Sequence, residues 1–189
     1  MQVILLNGVG SVGKSSTAKA LQVLSAEPLL HVAMDDFIAM LPERYFGDPD
    51  GLVFEPVDTP EGRVMRTQVG PVLRRVLDGM RQAAAALADA GNHLVIDDVM
   101  LDPCEAEDWR RVLRRHTLHF VGLHAPLAVL EARERARGDR EPGLARGQFG
   151  RVHRGQSYGL DIDTSDSTPQ ESAARICTAF GLAMRDETG

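Results

Sequence analysis

Short runs of consecutive apolar residues alternate along the chain with longer segments in which apolar residues recur at helical spacing. The apolar runs predict strands that are buried on both faces. The predicted strands cover residues 3–6, 29–34, 93–98, 117–122 and 159–163. Strands that alternate with helices in this way predict an α/β fold, in which a parallel sheet carries helices on both faces.

Proline, glycine and polar residues mark the ends of the predicted helices. Thr168-Pro169-Gln170-Glu171 is a capping box with proline at the first helical position, so it predicts the start of the last helix. Since no repeat, low-complexity tract or linker interrupts the order of elements, we expect one domain over residues 1–189. The other predicted helices run from near Gly13 to a point before Pro28 and over residues 37–41, 71–90, 103–115 and 126–137.

Two segments have no long periodic pattern. Residues 43–70 are rich in Gly, Pro and Asp, and their apolar positions predict a hairpin with arms at 52–57 and 63–69. Residues 138–155 are polar and dotted with glycine, which predicts a mobile lid with a short helix inside it.

Composition and charge narrow the class of protein. The 43% hydrophobic and 25% charged residues are typical of a soluble globular protein. No run of 18 apolar residues and no signal sequence is present, so we expect a cytoplasmic protein with no membrane partner. The formal charge of −6 argues against a nucleic-acid partner. Cys104 and Cys177 lie outside metal and redox spacings, which argues against structural zinc or a disulfide scaffold.

The strongest functional signal follows the first predicted strand. Residues 8–15 match the G-x-x-x-x-G-K-S pattern of a phosphate-binding loop. Its glycines allow a tight turn whose N–H groups form an anion-sized cup, and the next helix points its positive end into that cup. Lys14 can reach the β- and γ-phosphates, and Ser15 offers a hydroxyl to Mg²⁺. The nucleotide-binding residues predicted in this loop are Gly8, Val9, Gly10, Ser11, Val12, Gly13, Lys14, Ser15 and Ser16.

The nucleotide itself is predicted from what the chain lacks. Asn7 and Asn92 are the only asparagines, so no N-K-x-D element is present to read guanine. ATP is therefore the expected donor. The loop at 163–168 lies where an adenine can be held.

Two pairs of carboxylates end predicted strands on the side of the sheet where the phosphate loop lies. Asp97 and Asp98 follow an apolar run, and a carboxylate at such a position can meet the Mg²⁺ held by Ser15. Successive strand residues face opposite sides, so we assign Asp97 to the metal and Asp98 to capping or substrate, with the reverse left open. Asp35 and Asp36 end the second strand, where one carboxylate can take a proton from a substrate hydroxyl and the other can cap the next helix.

Arginines cluster after the fourth predicted strand. Arg133 and Arg137 are four residues apart and share one face of a helix, and Arg140 follows a glycine in the predicted lid. Transfer of a phosphoryl group spreads charge over its oxygens, and arginines stabilise that charge. A basic helix face balanced by neighbouring acidic residues is the alternative interpretation.

An ordered set of motifs resembles the chloramphenicol 3-O-phosphotransferase family. The blocks occur in the family's order and cover nearly the whole chain. They are residues 4–15, Met34 to Pro42, Val95 to Val99, Ala136 to Arg140 and Asp161 to Thr164. The resemblance implies a P-loop kinase fold of the nucleoside-monophosphate-kinase type, with a three-layer architecture, a five-stranded parallel sheet and an arginine-bearing lid.

The resemblance also implies roles for single residues. It implies ATP and Mg²⁺ as donor and cofactor and a small-molecule hydroxyl as acceptor. The family's catalytic aspartate corresponds to Asp35, and its lid arginines correspond to Arg133 and Arg137. The chain departs from the family at Asp36, where the family has a small hydroxyl residue, and over residues 43–70, which match poorly. The acceptor-binding region is expected at about 36–80.

The expected function is an ATP-dependent transfer of the γ-phosphate to a hydroxyl of a small molecule, with antibiotic inactivation as one version of it. A kinase of a nucleoside or other metabolite is the alternative enzyme. A non-enzymatic ATP-dependent switch, in which the lid reports nucleotide to a partner, is the alternative from another class. In the first interpretation Lys14, Asp35, Arg133 and Arg137 are catalytic, Arg133 also binds nucleotide, and Ser15, Asp97 and Asp98 are the candidate metal ligands.

Overall fold

The computed structural model describes residues 1–60, 62–138 and 142–185. Strands and helices alternate along this part of the chain, apart from one hairpin and one pair of consecutive helices. The strands are β1 (Gln2–Asn7), β2 (Leu29–Ala33), β3 (Leu52–Thr59), β4 (Gly62–Val69), β5 (His93–Asp98), β6 (Thr117–His124) and β7 (Leu160–Asp163). The helices are α1 (Lys14–Leu24), α2 (Met34–Ile38), α3 (Pro71–Asp89), α4 (Cys104–Val112), α5 (Leu127–Arg137), α6 (Leu144–Phe149) and α7 (Pro169–Phe180), with a 3₁₀ turn at Glu43–Tyr45.

Five strands form a parallel sheet in the order β2-β5-β1-β6-β7, which confirms the predicted sheet. The most apolar strand, β1, lies at the centre, where Ile4 is in register with Val95 on one side and His119 on the other. All five strands run in one direction, so their carboxyl ends meet at one edge of the sheet. Asp97 is in register there with Ala33, and Asp98 with Asn7.

The alternation of side chains along β1 divides the core into two layers. Ile4 and Leu6 point into a cluster with residues of α1 and α7, whereas Val3 and Leu5 point into a cluster with α3 and α4. Both layers are apolar, so the central strand can be hydrophobic at every position. The predicted capping box is present in α7, where the Thr168 hydroxyl accepts a hydrogen bond from the backbone N–H of Glu171.

Several predicted boundaries are wrong by one to three residues; the short helix predicted at 37–41, for example, is α2 at Met34–Ile38. β2 ends at Ala33, and Met34 already belongs to α2, since the extended residue Ala33 leads directly into the helix. The helix predicted at 103–115 is limited to α4, because the chain must turn sharply before β6: the N–H of His116 donates to the carbonyl of Leu113 at 2.9 Å.

The predicted hairpin is present as β3 and β4, paired from Leu52–Val69 to Thr59–Gly62. It packs against α6, the short helix predicted at 138–155. The N–H of Met65 donates to the carbonyl of Gly143 at 2.9 Å, and a Cβ at Gly147 would lie 2.1 Å from the carbonyl oxygen of Met65. The absence of a side chain at Gly147 therefore allows the hairpin and α6 to touch.

In the described ranges, none of the helices is both long enough and apolar enough to span a bilayer.

Candidate active site

A cleft of about 470 Å³ opens at the carboxyl edge of the sheet. Its wall is formed by the phosphate loop, the first turns of α1 and α2, the end of β5, one face of α5 and the loop between β7 and α7. The cleft brings together five side chains that the sequence singled out, although they are far apart in the chain. They are Lys14, Asp35, Asp97, Arg133 and Arg137.

The phosphate loop has the backbone that its glycines predict. Gly13 is the N-cap of α1 with φ 102°, a left-handed conformation that glycine adopts without strain. Ser11 also has a positive φ of 66°, which is uncommon for a residue with a side chain. A Cβ at Gly8 would lie 2.6 Å from the carbonyl oxygen of Leu123. Glycine at position 8 therefore lets the loop pass directly over the end of β6.

Lys14 is almost fully buried, with 7% of its surface exposed. Its Nζ donates hydrogen bonds to the carbonyl oxygens of Gly8 at 2.9 Å and Val9 at 3.2 Å. The same Nζ lies 3.9 Å from Oδ1 of Asp97. These contacts hold the ammonium group inside the loop that the sequence predicts to bind phosphate.

Asp97 connects β5 to the start of α1. Its Oδ2 accepts a hydrogen bond of 2.5 Å from the Ser15 hydroxyl and lies 3.8 Å from Nε2 of His31. Burial by itself raises the pKa of Asp97, but His31, the Lys14 charge and the Ser15 hydroxyl together hold it below its usual value. The carboxylate is therefore ionised at neutral pH.

Asp98 faces the other side of the sheet, away from the cleft. Its Oδ2 accepts a 2.7 Å hydrogen bond from the indole N–H of Trp109, and its Oδ1 accepts one from the N–H of Val99. Burial, with a smaller contribution from the Asp97 charge, raises the pKa of Asp98 despite these bonds. Only Asp97 of this pair lines the cleft, so the metal position considered for Asp98 does not agree with its location.

Asp35 and Asp36 lie in the first turn of α2. The N-cap of α2 is Ala33 and no side chain caps it, so the idea that one of these aspartates caps the helix is wrong. Asp35 lines the cleft, whereas Asp36 does not. The structure therefore separates two adjacent carboxylates that the sequence could not tell apart.

The predicted arginines line the cleft at its α5 wall. Arg133 Nη2 donates to the carbonyl of Thr164 at 2.6 Å, and its Nη1 donates to the Thr164 hydroxyl at 3.1 Å and the Val12 carbonyl at 3.4 Å. Arg137 lies one helical turn further along α5. Arg140 lies outside the described residues, as does the start of the predicted lid after residue 138.

Three residues make contacts at the site that the sequence does not predict, although Thr164 lies within the motif block at 161–164. Gln148 on α6 accepts a 2.7 Å hydrogen bond from the backbone N–H of Gly10, so it contacts the phosphate loop directly. Thr164 donates from its hydroxyl to the carbonyl of Val12 at 2.8 Å. His31 on β2 faces Asp97, and its Nε2 is buried without a hydrogen-bond partner. Each contact joins segments distant in the chain, so no local spacing signals it.

A metal site made of protein side chains alone is absent from the described residues. They contain no group of three or more His, Cys, Asp and Glu side chains placed to hold an ion. One hydroxyl and one ionised carboxylate, as in Ser15 and Asp97, nevertheless suit Mg²⁺, which keeps several waters and takes further oxygens from substrate phosphates.

Comparisons with known proteins agree with this geometry. The family model described as "Chloramphenicol phosphotransferase-like protein" matches residues 1–181. A Mycobacterium tuberculosis (strain H37Rv) protein named "Putative O-phosphotransferase Rv2636" is 32% identical over 179 residues, which cover 92% of this chain and 79% of that protein.

Solved structures with a similar fold are P-loop kinases and related proteins. A sugar kinase from Janibacter sp. HTCC2649 has a TM-score of 0.65 and 22% identity, covering 97% of this chain and 96% of its own. The tunicamycin resistance protein of Deinococcus radiodurans has a TM-score of 0.66 and 18% identity, covering 98% and 99%. The APS kinase of Mycobacterium tuberculosis, solved with AMPPNP and APS, has a TM-score of 0.64 and 18% identity, covering 95% and 97%. At these identities the likeness establishes the P-loop kinase fold.

Proposed function

The chain belongs to the chloramphenicol phosphotransferase-like family and is a phosphotransferase of the kinase type, and from this we propose that it transfers the γ-phosphate of ATP to a hydroxyl group of a small molecule. One observation carries the proposal: Asp35 lines the same cleft as the phosphate loop and the Ser15–Asp97 pair. A base for the acceptor and a binding site for the donor are thus neighbours.

Asp35 is the proposed general base. It accepts the proton of the acceptor hydroxyl while the hydroxyl oxygen forms a bond to the γ-phosphorus. The bond from that phosphorus to the β–γ bridging oxygen breaks, and ADP leaves with the electron pair. The products are a phosphorylated alcohol, ADP and the proton that Asp35 returns to solvent.

Ser15 and Asp97 are the residues proposed to hold Mg²⁺. When bound, the ion neutralises charge on the β- and γ-phosphate oxygens. Asp97 suits this role because its carboxylate is ionised and already fixed by the Ser15 hydroxyl.

Lys14 and the two arginines are proposed to hold the anionic parts of the donor. Lys14 lies within the loop and can exchange its bonds to the Gly8 and Val9 carbonyls for bonds to phosphate oxygens. Arg133, bonded to Thr164 and Val12, is proposed to bind the nucleotide at the β7–α7 side of the cleft. Arg137 is proposed to stabilise the charge that spreads over the transferred group.

The test compares Asp35→Asn with Asp36→Asn. The two residues share one turn of α2, but only Asp35 lines the cleft. Transfer should fall by about 10²-fold or more in Asp35→Asn, because the general base is lost, while ATP binding stays near normal. Asp36→Asn should keep both phosphoryl transfer and ATP binding near the wild-type level. Equal turnover in wild type and Asp35→Asn would remove Asp35 from the mechanism.

The acceptor panel begins with chloramphenicol, because the family bears its name, and adds other hydroxyl-bearing antibiotics and nucleosides. Each compound is incubated with ATP and Mg²⁺, and mass spectrometry detects an added phosphate. A phosphorylated antibiotic supports antibiotic inactivation, and a phosphorylated nucleoside supports a metabolite kinase. Nucleotide binding without transfer to any compound or to water would favour a non-enzymatic switch.

A further inference from the structure

A second cleft, of about 670 Å³, lies between β4, α3, the loop after β5 and α4. It is larger than the cleft at the phosphate loop, and none of the residues proposed above to bind the donor lines it. Arg151, which follows α6, completes its wall. The expected acceptor-binding region, at about 36–80, contributes one side of this cleft through β4 and the first half of α3.

Two polar groups in this cleft have no hydrogen-bond partner. Arg81 is only 7% exposed; its Nη1 donates to Asp78 at 3.0 Å and its Nη2 to Glu105 at 3.3 Å, but its Nε has no acceptor. The hydroxyl of Thr67 on β4 is also buried without a partner. Unsatisfied buried polar groups are costly, and both side chains line the cleft. A ligand that enters the cleft would lie beside these two groups, which still lack a partner.

The charges on the wall indicate what kind of ligand fits. Its guanidinium groups and its carboxylates are equal in number, so the wall has no net charge to offset the cost of removing a charged ligand from water. A hydroxyl group can accept from a guanidinium and donate to a carboxylate at the same time. Four aliphatic side chains offer contact for carbon atoms between the hydroxyls. The four pairs of charged residues are Arg74, Arg81, Arg111 and Arg151 with Asp78, Asp102, Glu105 and Asp108.

The second cleft borders the donor cleft at two places. Val99 lines the donor cleft and Leu101 lines the second cleft, and two residues of extended chain span at most about 7 Å. Gln148 contacts the phosphate loop, and Arg151 lies one turn later and reaches the second cleft. A molecule in the second cleft is therefore a neighbour of the phosphate loop.

We propose that this second cleft is the acceptor site and that it takes an uncharged polyhydroxylated molecule, such as a sugar or a sugar alcohol. The proposal rests on the proposed function, since it names the acceptor of the same transfer. The hydroxyl nearest the donor cleft receives the phosphate, while other hydroxyls bond to the groups of the second cleft.

The first test needs no transfer. Cys104 is exposed and lines the second cleft, whereas Cys177, the other cysteine, is buried outside it. Alkylation of Cys104 is followed by mass spectrometry without nucleotide, in the presence of glucose, mannitol or myo-inositol, and of glucuronate and glucose 6-phosphate as anionic counterparts. At least one neutral polyol should slow the alkylation in a saturable way and more strongly than either anion. Absence of protection by every neutral polyol, or stronger protection by an anion, overturns the proposal.

The second test measures transfer to the protecting polyol. Thr67→Val and Arg151→Gln each remove one contact and should raise its KM by roughly 3- to 10-fold. The matched controls are Thr117→Val on β6 and Arg154→Gln, which lies three residues from Arg151; neither residue lines either of the two clefts described. An unchanged KM in both cleft variants overturns the proposed location. If the protein releases no ADP with any compound or with water, the proposed function is contradicted. Protection of Cys104 from alkylation still tests ligand binding in the second cleft, because that measurement needs no transfer.

Discussion

Replacing Asp97 with asparagine removes one charge from the centre of the donor site and keeps the shape of the side chain. Asp97 and Lys14 are both less than a tenth exposed, and their charged atoms are 3.9 Å apart. At an effective dielectric constant of about 20 their attraction is roughly 4 kcal/mol. Lys14 keeps its bonds to the carbonyls of Gly8 and Val9, which offset part of this loss. We therefore expect the free energy of unfolding to fall by about 2–3 kcal/mol, since a buried charge loses its partner.

For a chain of this length, that loss corresponds to a melting temperature lower by about 5–10 °C without nucleotide. The pKa of Asp97 is lowered in the folded protein, so its contribution to stability is present at neutral pH and is lost as the pH falls through that lowered value. Melting curves by circular dichroism from pH 7 to pH 3 should thus show a weaker acid destabilisation in Asp97→Asn than in wild type.

Asp98→Asn is the matched control, because it changes the neighbouring carboxylate on the opposite face of β5. Burial already raises the pKa of Asp98, and asparagine still offers an oxygen to the indole N–H of Trp109. Its melting temperature should fall less, and phosphoryl transfer should be retained. A melting temperature of Asp97→Asn within about 2 °C of wild type would refute the calculation of the Lys14–Asp97 attraction.

Two further predictions concern Gly8, which follows β1, and His153, which follows α6 and stacks on His124 at the end of β6 with ring centroids 4.0 Å apart. Gly8→Ala places a Cβ 2.6 Å from the carbonyl oxygen of Leu123, so it should destabilise the fold by about 1–3 kcal/mol. It should also weaken nucleotide binding, as measured in a fluorescent-nucleotide titration. The control is Gly79→Ala, where the added Cβ lies in open space on α3 and should be neutral or stabilising. Burial lowers the pKa of His153 from 6.5 to about 4, so stability should fall as the pH drops from 6.5 to about 4. Because His153 is half-buried, we expect the free energy of unfolding to fall by roughly 1–2 kcal/mol over this range. His153→Gln should flatten this part of the profile of melting temperature against pH. A profile identical to that of wild type would contradict the assignment of this loss to His153.

The hydrophobic pattern predicted the sheet because the inner strands β1 and β5 carry buried apolar residues on both faces, whereas the edge strand β7 has Ile162 buried and Asp161 exposed. The same alternation predicted that Asp97 and Asp98 face opposite sides, since Val95 and Asp97 share one face of β5 while Ile96 and Asp98 share the other. The phosphate loop was recognisable because its function requires a fixed local spacing of glycine, lysine and serine. Local patterns therefore predicted the fold and several of the residues that line the cleft at the phosphate loop.

The rest depends on contacts between distant segments. The sequence does not show that Gln148 reaches Gly10, that Arg133 binds Thr164 or that Arg81 is buried on α3. An arginine within an amphipathic helix is normally assigned to the exposed face, and only the packing of α4 against α3 shows that Arg81 is covered. For the same reason the second cleft has no counterpart in the sequence motifs.

The two carboxylates at the end of β5 lie on opposite faces of the sheet and have different partners. Burying adjacent negative charges is unfavourable, and the charge of Asp97 does contribute to the raised pKa of Asp98. The pleat of the strand reduces this conflict because it sends Asp97 to Lys14 and Asp98 to Trp109, where the Arg81 charge also lowers the pKa of Asp98. The charge interaction with Asp98 therefore stabilises the buried Arg81 without any ligand, but the Nε of Arg81 takes part in no hydrogen bond. The structural role accounts for the charge of Arg81, and its unpaired Nε belongs to a side chain that lines the second cleft.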